Sequence, residues 1–283
     1  MSTSSSDFNG APLISVAIAF LTLTWVSLSL RCFVRLKITK LFEADDWFIL
    51  IAQGVFCLSC SFILRGVHYG LGRHNSSLPQ DNEIQALKYQ ALATLTYIAD
   101  MMFIKLSIAI FLLRIAVQQR YIWVLKISIV IVVIWTVAIF FYDLFQCTPV
   151  EAQWDIRIQN PKCASGDSFV SAAYSLSVMS IVSDWLYALL PIPMIWSVRM
   201  TFTAKLTVSI VLSMGIFASI ATLIRLRFLI DLADSSDNLY AMIWTLIEPG
   251  VAITAASLIT IRPLLRAIHF PGFESHPYPS NRQ

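Results

Sequence analysis

Along the chain, apolar runs near twenty residues in length alternate with short polar connections, and seven such runs can be marked, at 12–30, 47–64, 89–113, 122–144, 169–195, 206–229 and 240–261. A helix rising 1.5 Å per residue needs about 20 apolar residues to cross about 30 Å of hydrocarbon. In lipid each backbone amide must be satisfied within its own segment or in a closed barrel, and runs of this length and spacing favour helices. The pattern therefore predicts an all-α, seven-transmembrane helical bundle. It divides into a short N-terminal tail (1–11), the bundle (12–261) and a short C-terminal tail (262–283).

Composition strengthens this reading. With 57% hydrophobic and 13% charged residues and a mean hydropathy of +0.72, the chain has more apolar surface than a water-facing domain can hide. The expected surrounding medium, and first partner, is the lipid bilayer. The opening residues lack the basic flank and small-residue cleavage site of a secretory leader, so the first run is expected to be a retained span. The net charge of +3 is spread without a basic run, which argues against nucleic acid as a partner. No cofactor motif is found.

The basic residues predict orientation. Arg31, Arg35, Lys37, Lys40, Arg114, Arg120, Lys126, Arg199, Lys205, Arg262, Arg266 and Arg282 fall on one face, and the other face carries fewer. By the positive-inside rule the richer face is cytoplasmic, with the N-terminus outside and the C-terminus inside. Two features fit this orientation: Asn75-Ser76-Ser77 is a glycosylation sequon in the connection after the second run, and Cys147 and Cys163 share the connection after the fourth. Both connections then lie outside, where a glycan is added and a disulfide persists. A bridge there would contribute roughly 3 kcal/mol by closing the loop and would stiffen an outward lid. Cys32, Cys57 and Cys60 read as packing residues; His68 and His74 flank the outer end of the second run, where solvation is the simplest role and metal binding or pH sensing the alternative. The sequon and the lack of a retention signal favour the plasma membrane over the endoplasmic reticulum.

Charges inside the runs carry the chemistry. Asp100 and Lys105 lie in the third, Asp184 in the fifth, Arg225 in the sixth and Glu248 in the seventh. Each costs about 2.5 to 3.5 kcal/mol at mid-helix and must find a partner inside the bundle. Depth suggests the pairs: Lys105 lies roughly 12 Å and Asp184 roughly 16 Å from the same face, and Arg225 and Glu248 both lie nearer the opposite one. Asp100 is left over and becomes the first candidate for contact with a ligand. The alternative is that all five form one structural network that fixes helix register. Pro249 follows Glu248 directly and can open space beside it.

Several stretches carry a family pattern: Arg31 and Arg35 before Asp45-Asp46-Trp47; Tyr69-Gly70-Leu71-Gly72-Arg73-His74; Lys105-Leu106-Ser107 with Arg114; Cys147 to Pro149 and Trp154 to Cys163; Asp184 before Pro191-Ile192-Pro193; and Glu248 with Arg262-Pro263-Leu264. Over about residues 28–265 the chain resembles the fungal rhodopsin-domain integral membrane proteins. That family includes receptor-like proteins tied to plant pathogenicity and members encoded in mycotoxin gene clusters. The resemblance implies the fold more closely than the activity. The chain departs from some members in having no cysteine-rich extracellular domain. Retinal chemistry needs a Schiff-base lysine in the seventh run, and 240–261 contains none. Leu112-Leu113-Arg114 and Ile259-Thr260-Ile261 stand where animal-type receptors carry their switch motifs, so coupling to G proteins is not supported.

Three functions follow. A receptor-like protein would admit a small lipophilic ligand, under the outer lid, to a pocket lined by Asp100, Asp184 and Glu248. A membrane-embedded cyclase or isomerase of secondary metabolism would use buried carboxylates as general acids on a lipophilic substrate. A transporter is less supported, because no internal repeat is visible.

Overall fold

The computed structural model describes residues 10–71, 79–196, 215–216, 219–224 and 235–259. The chain is mostly helical: α1 (Ala11–Phe33, continued by a π-helical turn over Val34–Thr39), α2 (Ala44–Tyr69), α3 (Gln80–Ile115), α4 (Gln119–Leu144), α5 (Gly166–Leu189), the short α6 (Pro191–Trp196) and α7 (Ser235–Ile259). Residues 215–216 and 219–224 are also helical. Among the described residues five segments are long and apolar enough to cross a membrane: Ala11–Thr39, Ala44–Tyr69, Gln119–Leu144, Gly166–Pro193 and Ala241–Leu258. The tails and the 72–78 connection, with the Asn75 sequon, Arg73 and His74, fall outside the described residues.

Local sequence explains the helix ends. Pro12 stands in the first turn of α1, where its missing N–H has no helical partner to lose. At the start of α2, Asp46 accepts the Glu43 backbone N–H at 3.1 Å. Gly70 ends α2 at φ 106°, a left-handed cap that suits a residue without Cβ. Pro191 begins α6 after Leu190, so the predicted fifth run is two helices in sequence rather than one. At 36 residues, about 54 Å long, α3 outruns the predicted 89–113 at its N-terminal end.

α2 packs along α3, and α1 along α7. The main core gathers Leu13, Leu28, Ile49, Phe56, Ile104, Leu246 and Ile253. Helix contacts are lined by small residues such as Ala17, Ala52, Ala93 and Ser59, which let backbones approach. Gly250 shows this most sharply: a Cβ there would lie 2.9 Å from Cγ of Phe20. α7 continues through Pro249 as one helix, and the Phe20 ring occupies the space next to Gly250. Large apolar side chains on α4, among them Ile127, Ile131, Ile134 and Trp135, point outward, as a lipid-facing surface requires.

The connection after α4 is a compact lid. Cys147 and Cys163 are disulfide-bonded and also face each other across a two-residue antiparallel pairing, with a single 3₁₀ turn (Val150–Gln153) between them. The Gln153 amide donates to the carbonyls of Asp143 and Leu144, both at 2.9 Å, and so satisfies the C-terminal carbonyls of α4. Arg157 bonds Asp81, and Lys88 lies 6.0 Å from the Trp154 ring, which ties the lid to the projecting start of α3.

Candidate functional site

Three polar features are built into the bundle. The first, at the end opposite the lid, is a buried cluster of two guanidinium groups and two carboxylates. Arg31 is 2% exposed. It reaches Asp45 Oδ2 at 2.6 Å through Nη2, Asp46 Oδ1 at 2.8 Å through Nε and the Ala256 carbonyl of α7 at 2.7 Å through Nη1. Arg35, one turn further on, reaches the same two carboxylates at 2.9 and 3.4 Å. The Ser107 hydroxyl of α3 donates to the Asp45 carbonyl at 2.7 Å. The cluster thus joins α1, α2, α3 and α7 at one point and carries no net charge. The sequence marks Arg31 and Arg35 as orientation signals and, with Asp45-Asp46-Trp47, as part of the family pattern; that these four side chains form one buried cluster is visible only in the fold.

The second feature is the network at mid-bundle. Lys105 Nζ lies 2.5 Å from Asp184 Oδ1, 2.8 Å from Ser183 Oγ and 3.1 Å from the Ser180 carbonyl, so each of its three N–H groups has an acceptor. Glu248 accepts the Tyr97 hydroxyl at one oxygen and the Thr222 hydroxyl at the other, both at 2.6 Å. Arg225, expected beside Glu248, falls outside the described residues. Asp100 is fully buried, and neither of its carboxyl oxygens has a hydrogen-bond partner. It lies close enough to Cys60 of α2 to interact with it electrostatically.

The third feature is a cavity of about 160 Å³ near the lid, enclosed by α3, α4, α5 and α7. Its described lining contains none of Asp100, Lys105, Asp184 or Glu248; Tyr97 and Thr94, Tyr142 and Asp143, Phe169 and Met242 stand in their place. Tyr97 links this cavity to the mid-bundle network, because its hydroxyl donates to Glu248. Asp143 is 8% exposed, and the buried Tyr142 hydroxyl beside it has no hydrogen-bond partner. Mostly apolar walls with a few converging polar groups are the usual make-up of a small-molecule site. Sequence reasoning missed Asp143, although it lies inside the fourth predicted run; a carboxylate beside an aromatic in the last turn before the bridged loop was the available signal. Among the described residues no three His, Cys, Asp or Glu side chains gather as a metal site.

Across 30–267, from Arg31 through the lid cysteines to Glu248, the chain matches the fungal rhodopsin domain. It belongs to the fungal rhodopsin domain family. Within that family it is 27% identical, over 94% of its own length and 77% of the relative's, to the polyenoic acids biosynthesis gene cluster protein Ba17b of Metarhizium anisopliae. It is 30% identical to the fugralins biosynthesis cluster protein 2 of Gibberella zeae, over 34% of this chain and 23% of that one. It is also 27% identical to a SAT4 family membrane protein of Emericella nidulans, over 61% and 45%. No solved structure matches the chain. This fungal rhodopsin domain protein is therefore a helical membrane protein whose relatives include proteins named for biosynthetic gene clusters.

Proposed function

We propose that this protein is a seven-span, receptor-like membrane protein that binds a small lipophilic molecule in the cavity beneath the lid and serves a secondary-metabolite gene cluster. Its amino terminus lies outside and its carboxyl terminus in the cytoplasm of a cell whose plasma membrane holds it. The observation that carries the binding reading is the cavity: mostly apolar, bounded by four of the described helices, and lined by the Asp143 carboxyl group and a buried Tyr142 hydroxyl that has no hydrogen-bond partner.

The seven-span reading is supported by connectivity. α5 ends near the Arg31 end of the bundle, while α7 contributes Met242 to the cavity near the lid and Ala256 to the Arg31 cluster. Between α6 and α7 the described helical residues 215–216 and 219–224 pack on the bundle: Gly215 backs onto Ala188 of α5 and Thr222 reaches Glu248 of α7, which supports a further span at this point of the sequence. Orientation is supported by the disulfide, which belongs in an oxidising compartment and ties the lid. Glycosidase treatment should shift the protein's mobility and Asn75→Gln should abolish the shift. A glycan attached instead at a sequon introduced between α3 and α4 would reverse the orientation.

The binding reading is tested by purifying the protein from its host in nanodiscs and analysing retained small molecules by mass spectrometry. A lipophilic compound should be retained by the wild type and lost when Thr94→Trp fills the cavity. Equal retention by both, in protein that remains monodisperse, removes the cavity from the account.

A second reading, a membrane-embedded enzyme of secondary metabolism, is favoured by the same carboxyl and phenol groups, which have the chemistry of a proton donor and acceptor, and by the biosynthetic names of the relatives. Metabolite extracts of a deletion strain and of an Asp143→Asn strain decide between the two. One discrete precursor, accumulating in both and converted by wild-type membranes, makes the protein an enzyme; a uniform fall of a whole pathway supports sensing.

A further inference from the structure

The cavity does not stand alone. Between α4 and α5 a cleft of about 570 Å³ shares Ile139, Tyr142 and Ala172 with it, so these three side chains are the wall between the two spaces. A groove of about 810 Å³ on the same two helices continues from the cleft through the shared Ser171. Its sides are Ile131, Trp135, Tyr174, Val178 and Val182, all outward-facing and all within segments apolar enough to cross a membrane. A row of hollows therefore runs from the lipid-facing surface to the enclosed cavity. At the lid, Gln153 is fixed on the last carbonyls of α4, one of them that of the cavity residue Asp143, and Arg157 and Trp154 dock on α3, while the cleft itself starts at the exposed Asp167 and Ser168 in the first turn of α5.

Size narrows the ligand. The cavity volume of about 160 Å³ is close to that of an engineered apolar cavity, about 150 Å³, that accommodates benzene. It therefore takes a polar head and a few carbons, and the rest of a larger molecule must lie in the cleft. Asp143 supplies an acceptor in the cavity wall, and the polar group it faces must be a donor.

Resting on the binding reading above, we propose that the ligand is a bilayer-dissolved amphiphile, an apolar body ending in a hydroxyl or amine. It enters sideways between α4 and α5 past Tyr142 and donates a hydrogen bond to Asp143. The carboxylate selects the head group, and the cleft and groove hold the tail.

The test uses the full chain in nanodiscs and three clickable alkyl diazirine probes of equal length, one ending in a hydroxyl, one in an amine and one in a methyl ether. After photolysis, labelled peptides are mapped by mass spectrometry. The hydroxyl and amine probes should label cavity and cleft residues of α4 and α5 about tenfold more than the ether, the ratio expected for one hydrogen bond to a charged group. Asp143→Leu, which leaves no acceptor at this position, should remove that preference. Ala138→Trp, which narrows the cleft from its outward-facing side without touching the cavity lining, should slow labelling from the bilayer. Equal labelling of the same residues by all three probes leaves lipophilic binding in place and overturns the head-group assignment. Unchanged rates in well-folded Ala138→Trp overturn the lateral route. Labelling confined to outer helix surfaces, with no cavity residue modified by any probe, sinks the binding reading itself.

Discussion

Replacing Arg31 by alanine tests whether the cluster at the end opposite the lid holds the bundle together. The guanidinium is 2% exposed and makes three bonds, to Asp45, Asp46 and the Ala256 carbonyl. Interhelical hydrogen bonds between membrane helices average about 0.6 kcal/mol, so three ordinary ones would contribute about 2. The larger effect is electrostatic. Without Arg31, two buried carboxylates share the one remaining Arg35, and a buried ion pair broken from one side costs about 3 to 5 kcal/mol. The natural control is Arg114, whose 3.1 Å pair with Glu43 is partly exposed on both sides, so that Arg114→Ala should cost at most about 1 kcal/mol. Unfolding of both variants in mixed micelles, followed by tryptophan fluorescence, gives the two costs on one scale. Adding Asp45→Asn to Arg31→Ala returns the cluster to zero net charge and should recover about 1 kcal/mol or more. If Arg31→Ala costs no more than Arg114→Ala, or if Asp45→Asn makes the double variant worse, the cluster is not held by charge balance and the reasoning fails.

Other outcomes follow from the same geometry. Lys105→Met leaves Asp184 buried without its 2.5 Å partner and should cost about 3 to 5 kcal/mol, whereas Lys105→Met with Asp184→Leu should fall near neutral; the same unfolding assay reads both. Gly250→Ala drives a methyl group into the Phe20 ring and should cost about 1 to 3 kcal/mol, with Phe20→Leu restoring most of it. Opening the Cys147–Cys163 bridge by a double serine substitution removes a closure of 16 residues and should lower stability by roughly 3 kcal/mol, measured as a lost sensitivity of the midpoint to reductant. Tyr97→Phe takes one hydrogen bond from the buried Glu248, at a cost of about 1 to 3 kcal/mol; no change in midpoint would remove Tyr97 as a structural link.

What could be read from the sequence was set by length, period and depth. Runs near twenty apolar residues mark helices because the bilayer imposes that length, and the described helices lie where those runs predict them. Depth along a helix is also one-dimensional, so counting residues from one face brought Lys105 and Asp184 to a common level. Depth says nothing about rotation around the helix axis. Depth leaves Asp100 without a partner and makes it the first candidate for ligand contact, while in the fold it is buried near Cys60 of α2 and is not among the residues that line the cavity to which Tyr97, three residues earlier, contributes. The Arg31 cluster was hidden for a related reason. A basic residue at a helix end satisfies the positive-inside rule whether it faces water or the interior, and only the packing of α1 against α2 and α7 separates the two.

The link between the cavity and the opposite end bears on the choice between sensing and catalysis. Tyr97 forms part of the cavity wall and donates to Glu248 of α7; eight residues further along the same helix, the Ala256 carbonyl accepts from Arg31. α7 is thus a rigid element touched at one end by whatever displaces Tyr97 and held at the other by the charge cluster. A ligand shifts such an element only by the difference in its affinity for two arrangements, so a signal requires that binding change the Tyr97–Glu248 contact. Catalysis requires no such change, only that Asp143 meet its substrate. Tyr97→Phe therefore separates the two readings. Under sensing it uncouples binding from the downstream response while the ligand is still held; under catalysis, product formation persists as long as Asp143 is intact. Loss of both binding and product in the folded variant would show that the Tyr97 hydroxyl itself holds the ligand and would break the proposed separation of roles.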